Sequence, residues 1–310
     1  MFFNNLGLLV KITYMQLITE KSKDYELIDS GDGEKLERYG RYTLRRPDPQ
    51  VLWPKSLSQK EWERADSTYL RSSATGKWLK PLESWRIELE GLVFNLSLLP
   101  SKHLGVFPEQ SEQWKWMEER IKTRYESTKH ANDTNKNSKI KVLNLFGYTG
   151  GATLACARAG AEVVHVDSSK FAVDLAHKNL DDSKLGDRQV RFFVDDVRKF
   201  VEREIKRGNK YDIITMDPPI YGKGSKGEIW KIEENLTPLL SKLKKIISSS
   251  PIAIVLNGYA SGYSHLAYSE ILKGVTVDFK GKVTSGELAI KDSTDKLLPC
   301  GIFARWENEI

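Results

Sequence analysis

Between residues 140 and 257, five short apolar runs alternate with four longer stretches of helical spacing, and this alternation limits the possible folds more than any other feature. The runs are Lys141-Val-Leu-Asn-Leu-Phe, Glu162-Val-Val-His-Val-Asp, Val190-Arg-Phe-Phe-Val, Tyr211-Asp-Ile-Ile-Thr-Met and Ile252-Ala-Ile-Val-Leu-Asn. Between them, helices are expected from Gly151 to Arg158, through Phe171, Leu175 and Leu180, from Val197 to Lys206, and from about Leu236 to Ser248. Strands that are apolar on both sides need cover on both faces, and parallel neighbours need a crossover. The pattern therefore predicts an α/β fold, a parallel sheet with helices on both faces. Two further strands, Gly286 to Ile290 and Leu298 to Trp306, are expected around the polar turn Asp292 to Asp295.

The residues upstream read differently. Period-two runs such as Trp85-Arg-Ile-Glu-Leu and Leu92-Val-Phe-Asn-Leu, with turn signals at Ser30-Gly-Asp-Gly, Arg46-Pro-Asp-Pro and Thr75-Gly, predict a small β-rich domain over residues 16–105. A helix is expected from Glu109 to Tyr125, then a polar loop from Ser127 to Lys139 holding Asn132, Asn135 and Asn137, so that 106–310 forms the second domain. Residues 1–15 read as an upstream extension, which leaves Met1 and Met15 as alternative natural starts. The apolar run there is broken by Asn4, Asn5 and Lys11, is too short to span a bilayer and lacks a cleavage site. No membrane association is expected.

Open α/β sheets bind ligands at the carboxyl ends of their strands, and four of these strands end in distinctive groups. The first runs into Asn144-Leu-Phe-Gly-Tyr-Thr-Gly-Gly, whose glycines allow a sharp turn and close approach to a ligand, and the helix beyond offers free amides to a carboxylate. The second ends in Asp167, placed to accept both hydroxyls of a ribose. The third ends in Asp195-Asp196-Val197, an acid and an amide suited to an adenine edge. The fourth ends in Asp217-Pro-Pro-Ile-Tyr. Neither G-x-G-x-x-G nor G-x-x-x-x-G-K-[ST] occurs in the glycine turn, which argues against a nicotinamide or a phosphate-loop nucleotide.

Asn144-Leu-Phe-Gly-Tyr-Thr-Gly-Gly, Val166-Asp-Ser-Ser, Asp195-Asp-Val and Met216-Asp-Pro-Pro resemble the bacterial large-subunit ribosomal RNA methyltransferases of the class I, S-adenosylmethionine-dependent type. The segment Gly105-Val-Phe-Pro-Glu-Gln is similar to the one that family places just before its catalytic domain, and the resemblance covers about residues 105–260. It implies a Rossmann-like, seven-stranded methyltransferase sheet and S-adenosylmethionine as cofactor. Asn144, Phe146, Gly147, Tyr148, Thr149 and Gly150 would surround the methionine part, with Gln110 closing one side. Asp167 and Ser168 would hold the ribose, Asp196 and Val197 the adenine, and Asp217 would sit near the methyl group.

The methyl donor is already activated, so the protein must align a nucleophile and exclude water. Paired prolines fix the backbone, so Asp217 and the carbonyl of Pro218, with Pro219 behind them, can grip a ring amino or imino hydrogen, and Tyr221 can stack on a flat substrate. Gly222-Lys-Gly-Ser-Lys-Gly-Glu-Ile-Trp, carrying Lys223 and Lys226, reads as a lid that orders on phosphate or as a solvated loop. Relatives that make 5-methylcytosine attack the base with a cysteine after the fifth strand. Here that position reads Leu256-Asn-Gly-Tyr-Ala-Ser-Gly, and Cys156 and Cys300 read as core, so no covalent cysteine step is expected. Two cysteines also give no disulfide framework and suit the cytoplasm. The five histidines form no metal-ligand spacing, and His165 reads as core.

A net charge of +6 leans toward an acidic partner. Aromatic and basic residues crowd the first third of the chain, among them Tyr39, Arg41, Tyr42, Arg45, Arg46, Trp78, Lys80 and Trp85, which could grip RNA or simply build a β domain. The sequence therefore points to an RNA methyltransferase, with ribosomal RNA favoured. The alternatives are a methyltransferase of a protein or small molecule, and a non-catalytic nucleotide- or RNA-binding protein that keeps the fold. Nothing in the sequence fixes the modified nucleotide or the oligomeric state.

Overall fold

The structure is a computed structural model that describes residues 15–71, 76–130, 139–224, 227–259 and 262–309. Residues 1–14, Asn132, Asn135, Asn137 and Lys226 lie outside the described residues. The apolar runs form one sheet whose strands, from edge to edge, are Met15–Thr19, Gly281–Lys291, Leu297–Asn308, Ala253–Gly258, Ile213–Met216, Lys141–Leu145, Glu162–Asp167 and Val190–Val194. All pairings are parallel except the two made by Leu297–Asn308, which runs antiparallel to both neighbours. Helices Ser111–His130, Gly151–Arg158, Lys170–Asp182, Val197–Arg207, Ile232–Leu243 and His265–Thr276 cover the faces. The order reverses direction beside Lys141–Leu145. Its neighbours there are Ile213–Met216 and Glu162–Asp167, which opens a crevice at the carboxyl ends of these three strands.

The elements start and stop where their residues dictate. Asp196 caps helix Val197–Arg207, accepting from the amides of Arg198 and Lys199, and Gly208 ends it at φ 69°. Ser169 accepts from the Ala172 amide and caps Lys170–Asp182. Helix His265–Thr276 was not foreseen, although Tyr268, Leu272 and Val275 are spaced three and four apart and buried.

The β-rich region holds a five-stranded sheet, Tyr25–Gly31, Glu34–Tyr39, Tyr42–Pro47, Ser67–Arg71 and Gly76–Trp78, and a hairpin, Trp85–Leu89 with Leu92–Leu96. Asp32 and Gly33, like Glu90 and Gly91, take positive φ, which gives two-residue turns matched to the strand twist. Strand Trp85–Leu89 alternates buried and exposed residues without exception, as its period-two sequence requires.

One expectation needs correction. The sheet has eight strands rather than seven, and the eighth, Met15–Thr19, joins the last residue of the expected extension to the start of the stretch assigned to the β-rich domain. It pairs Met15–Thr19 with Gly286–Ile290. A short strand carries no local sign of a partner some 270 residues away. The two regions also share one apolar core, in which Tyr25, Leu44, Ile87 and Phe94 join Trp114, Ile121, Val142 and Leu154. Phe94 stacks on Trp114 with centroids 5.4 Å apart. Polar bonds stitch the same seam. Asn179 Oδ1 accepts from the backbone and side-chain amides of Asn95 at 2.9 and 3.0 Å, and Lys296 Nζ meets Asp29 at 3.0 Å.

Candidate active site

The glycine turn folds by backbone geometry. The Gly147 amide donates to the Val166 carbonyl and the Gly150 amide to the Gly147 carbonyl. Gly150 sits at φ 92°, and Phe146 and Tyr148 also take positive φ, 55° and 47°. Two non-glycine residues in that region within three positions is a strained arrangement of the kind that clusters at binding sites. Side chains then lock the turn. Asn144 Nδ2 donates to Thr153 Oγ1 at 2.9 Å, and Thr153 Oγ1 lies 2.9 Å from His165 Nδ1. Burial pushes the His165 ring down to about 4, so it is neutral and structural, as expected. Thr149 Oγ1 donates to the Gly105 carbonyl at 2.6 Å, and Asn179 Nδ2 donates to the Thr149 carbonyl at 3.0 Å.

A pocket opens above this turn. Of the residues expected to hold a cofactor, Gln110, Asn144, Phe146, Gly147, Tyr148, Thr149, Gly150 and Asp217 line it. Asp167 stands behind Tyr148, and its two oxygens accept from the amides of Tyr148 at 2.9 Å and Ser169 at 2.8 Å. Burial outweighs those bonds and raises its carboxyl above the ordinary range. Ser168 follows it in the same turn. Asp196 is engaged locally as a helix cap and in an ion pair with Arg198 at 2.8 Å, which holds its carboxyl low against the upward push of burial. Val197 is buried in the core, and neither Asp196 nor Val197 lines the pocket.

Asp217 is the most perturbed acid here. Burial first, and then the Glu109 charge, push its carboxyl up to about 7, and Gln110 Nε2 donates to its Oδ2 at 3.1 Å. Pro218 and Pro219 follow in an irregular bend. The carbonyl that a side chain pins is that of Pro219, which accepts from Trp230 Nε1 at 2.7 Å, while the Trp230 ring meets Phe146 edge-on at 4.8 Å. Tyr221 is 60% exposed and starts a small hairpin, Tyr221–Lys223 with Ile229–Lys231, whose described residues do not line the pocket above the glycine turn. Lys223 is exposed on that hairpin.

Sequence reasoning missed several participants. Gln113, one turn beyond Gln110, lines the pocket and donates to Asn257 Oδ1 at 3.0 Å, while Arg305 donates to Gln113 Oε1 at 3.3 Å. The spacing of three between Gln110 and Gln113 was the available signal. Trp230 carried none, because its partner Phe146 is remote in sequence. Both thiols are core, as expected, and burial raises both well above the ordinary range. Of the arginines grouped as RNA contacts, Arg46 is buried against Glu37 and Arg45 is bound bidentately by Glu34 at 2.8 and 2.6 Å. Those two serve the β-rich region's own packing.

A sheet with one reversed strand, a strained glycine turn after its central strand and acids on the next strand ends defines the class I methyltransferase architecture. A family model described as "Conserved hypothetical protein 95" matches residues 110–249. Ribosomal RNA large subunit methyltransferase I of Escherichia coli strain E24377A is 42% identical over 80 residues, which is 26% of this chain and 20% of that protein. The matched stretch thus spans about a fifth of such curated relatives. An S-adenosylmethionine-dependent methyltransferase from Agrobacterium tumefaciens is 36% identical, covers 96% of each chain and superposes with a TM-score of 0.85. A Streptococcus mutans protein, 17% identical over 92% of this chain and 76% of its own, shares the fold with a TM-score of 0.65. The chain belongs to the class I S-adenosylmethionine-dependent methyltransferases.

Proposed function

We propose that this methyltransferase acts on RNA, ribosomal RNA being the favoured substrate, in the cytoplasm and without a covalent cysteine intermediate. The observation that carries the reading is Asp217, a partly buried carboxyl raised to about 7 at the end of a strand, held by Gln110 beside the glycine turn. A group poised near neutrality can accept a proton from a ring nitrogen as that nitrogen becomes the nucleophile. The donor set fits the cofactor. Asn144, Gly147, Thr149 and Gly150 offer a polar, close-fitting bed for an amino-acid moiety, and the free lone pairs of Asp167 suit ribose hydroxyls. Ser168 beside Asp167 belongs to the ribose turn, and Asp196 and Val197, on the next strand end, mark the adenine side.

S-Adenosylmethionine, when bound, supplies a methyl group activated by its sulfonium and leaves as S-adenosylhomocysteine. The protein's part is alignment. Pro218 and Pro219 restrict the backbone, and Trp230 fixes the Pro219 carbonyl. Tyr221, exposed on its hairpin, offers a stacking face to a base of the same strand. Nitrogen is the favoured target, because both thiols are buried and held protonated. RNA is supported by the likeness to a ribosomal RNA methyltransferase over the cofactor-binding stretch. No helix among the described residues is long and apolar enough to cross a membrane.

The test is transfer of tritiated methyl groups from S-adenosylmethionine into total RNA and total protein of a deletion strain, with nucleoside analysis of the product. Label in RNA, and in ribosomal RNA first, is the expected result. Label in protein with none in RNA, or cofactor binding with no transfer at all, overturns it in favour of the two alternatives.

A further inference from the structure

Beside the cofactor pocket lies a second, larger cavity of about 600 Å³, a size typical of ligand sites. It is walled by the β-rich region on one side and by Val106 to Glu109 on the other. Val106 and Phe107 line both cavities, so the two share a wall, and Glu109 faces the second one. Aromatic rings run along this boundary. His103 lies 5.1 Å from Phe107, and Phe107 lies 5.3 Å from Tyr148 of the glycine turn.

The cavity carries more positive charge than its acids balance. Lys35 meets Asp48 at 3.3 Å and Arg46 meets Glu37 at 2.5 Å, so those two cations are answered. Arg71 and Lys102 are not. Among the described residues neither has a carboxylate within ion-pair distance, and the Lys102 ammonium donates only to the Pro47 carbonyl at 3.2 Å. Burial, with the charges of Lys35, Arg46 and Arg71, pushes Lys102 below its ordinary value, and burial with Arg46, Lys102 and Lys35 drives His103 to about 4. A protein rarely leaves such a surplus beside a cavity unless an anion answers it. Lys102 also sits at φ 65° in the turn between Leu99 and His103, a conformation that glycine adopts without strain. Its long cationic side chain is kept there at a local cost.

We propose that this cavity is the acceptor pocket, that it seats one unstacked nucleotide of an RNA strand, and that Arg71 and Lys102 hold its phosphates while Glu109 contacts the base at the wall shared with the methyl donor. The inference rests on the RNA reading above and adds the place of entry. Tyr259, 44% exposed at the rim, gives the pocket an aromatic face suited to an extruded base. Burial raises the Glu109 carboxyl, which makes it a better proton acceptor toward the base edge that it contacts. The arrangement makes the β-rich region half of the active site.

The test uses the full chain with Arg71→Ala, Lys102→Gly, the double variant and Glu109→Gln, measured on the RNA that the parent protein labels. Lys102→Gly removes the cation while relaxing the backbone, so loss of folding does not cloud the result. The double variant is expected to raise KM for RNA by about a hundredfold and to flatten the slope of log affinity against log salt by about 1.4, the value for two single-strand phosphates. Affinity for S-adenosylhomocysteine, read by calorimetry, should stay within about twofold. Glu109→Gln should lower kcat by about tenfold or more with little change in KM. A double variant with the parent's KM and salt slope sinks the pocket and leaves the RNA reading standing. A parent protein that labels no RNA sinks both.

Discussion

The donor side of the site draws most of its polar groups from the stretch Asn144 to Asp217, with Gln110, Gln113 and Asn257 added from outside it, whereas the acceptor side gathers Lys35, Arg71, Lys102, Glu109, Tyr259 and Cys300 from places scattered along the whole chain. On the donor side, backbone conformation does most of the shaping. Gly150, Phe146 and Tyr148 take positive φ and the amides of Tyr148 and Ser169 hold Asp167. On the acceptor side, side chains do it. Their charges are partly satisfied within the β-rich region, where burial alone would push Glu37 up but Arg46 and Lys35 hold it down at about 2, and partly left open at Arg71 and Lys102. The contrast teaches that a cofactor common to a fold class can be served by a local motif, while a particular substrate is served by what tertiary contacts assemble.

The strongest way to break this division is at Asp217, which lines the donor pocket and feels the charge of Glu109 from the other cavity. Asp217→Ala should reduce methyl transfer by a factor on the order of 10² to 10³, measured as tritium incorporated per minute. Cofactor affinity should change by less than about tenfold. A comparable loss in cofactor affinity would mean that Asp217 belongs to the donor side alone.

A second experiment asks whether the two regions stand or fall together. Asn179 bonds Asn95 on one side and the Thr149 carbonyl on the other. Asn179→Ala removes the acceptor of the Asn95 backbone amide and the donor to the Thr149 carbonyl and should cost about 2–3 kcal/mol, read from urea denaturation. Because one core spans the seam, parent and variant should each unfold in a single transition. Two separated transitions would divide the molecule where its core says it is continuous.

pH sharpens the comparison further. The Asp217 carboxyl lies at about 7 in the folded chain, against an ordinary 3.8. Between those values the folded chain keeps a proton that the unfolded chain has lost. Its contribution to stability is therefore full below about pH 4 and falls away as pH rises toward 7. Asp217→Asn should remove that decline from a series of thermal melts between pH 4 and 8, and an unchanged decline would place its origin elsewhere. The smallest effect is expected at Trp230→Phe, which keeps the ring against Phe146 but loses the bond to the Pro219 carbonyl. Stability should drop by about 1 kcal/mol, with kcat a few-fold lower by the same tritium assay. A kcat equal to the parent's would show that the Pro219 carbonyl needs no anchor.

The legibility of the molecule follows the same division. The five parallel strands, the helices between them, the glycine turn and Asp217-Pro-Pro could be read because apolar period, turn chemistry and strand-end position are local properties of the chain. The small turns at Asp32-Gly33 and Glu90-Gly91 obey the same local rules. Arg45 and Arg46 show the limit. As letters they are two more basic residues in an aromatic, basic stretch, but in the fold Glu34 and Glu37 claim them, while Arg71 stays open.

By itself, then, the sequence determined an α/β sheet, the crevice at its strand ends and the glycine turn and Asp217 that line it, because each of these is written within a few residues of backbone. The tertiary structure alone decided that Met15–Thr19 completes the sheet, that the β-rich region shares the core, and that Lys102, Glu109 and Tyr259 face one cavity. Those facts depend on contacts between residues tens to hundreds of positions apart, and such contacts leave no periodic trace in the chain that makes them.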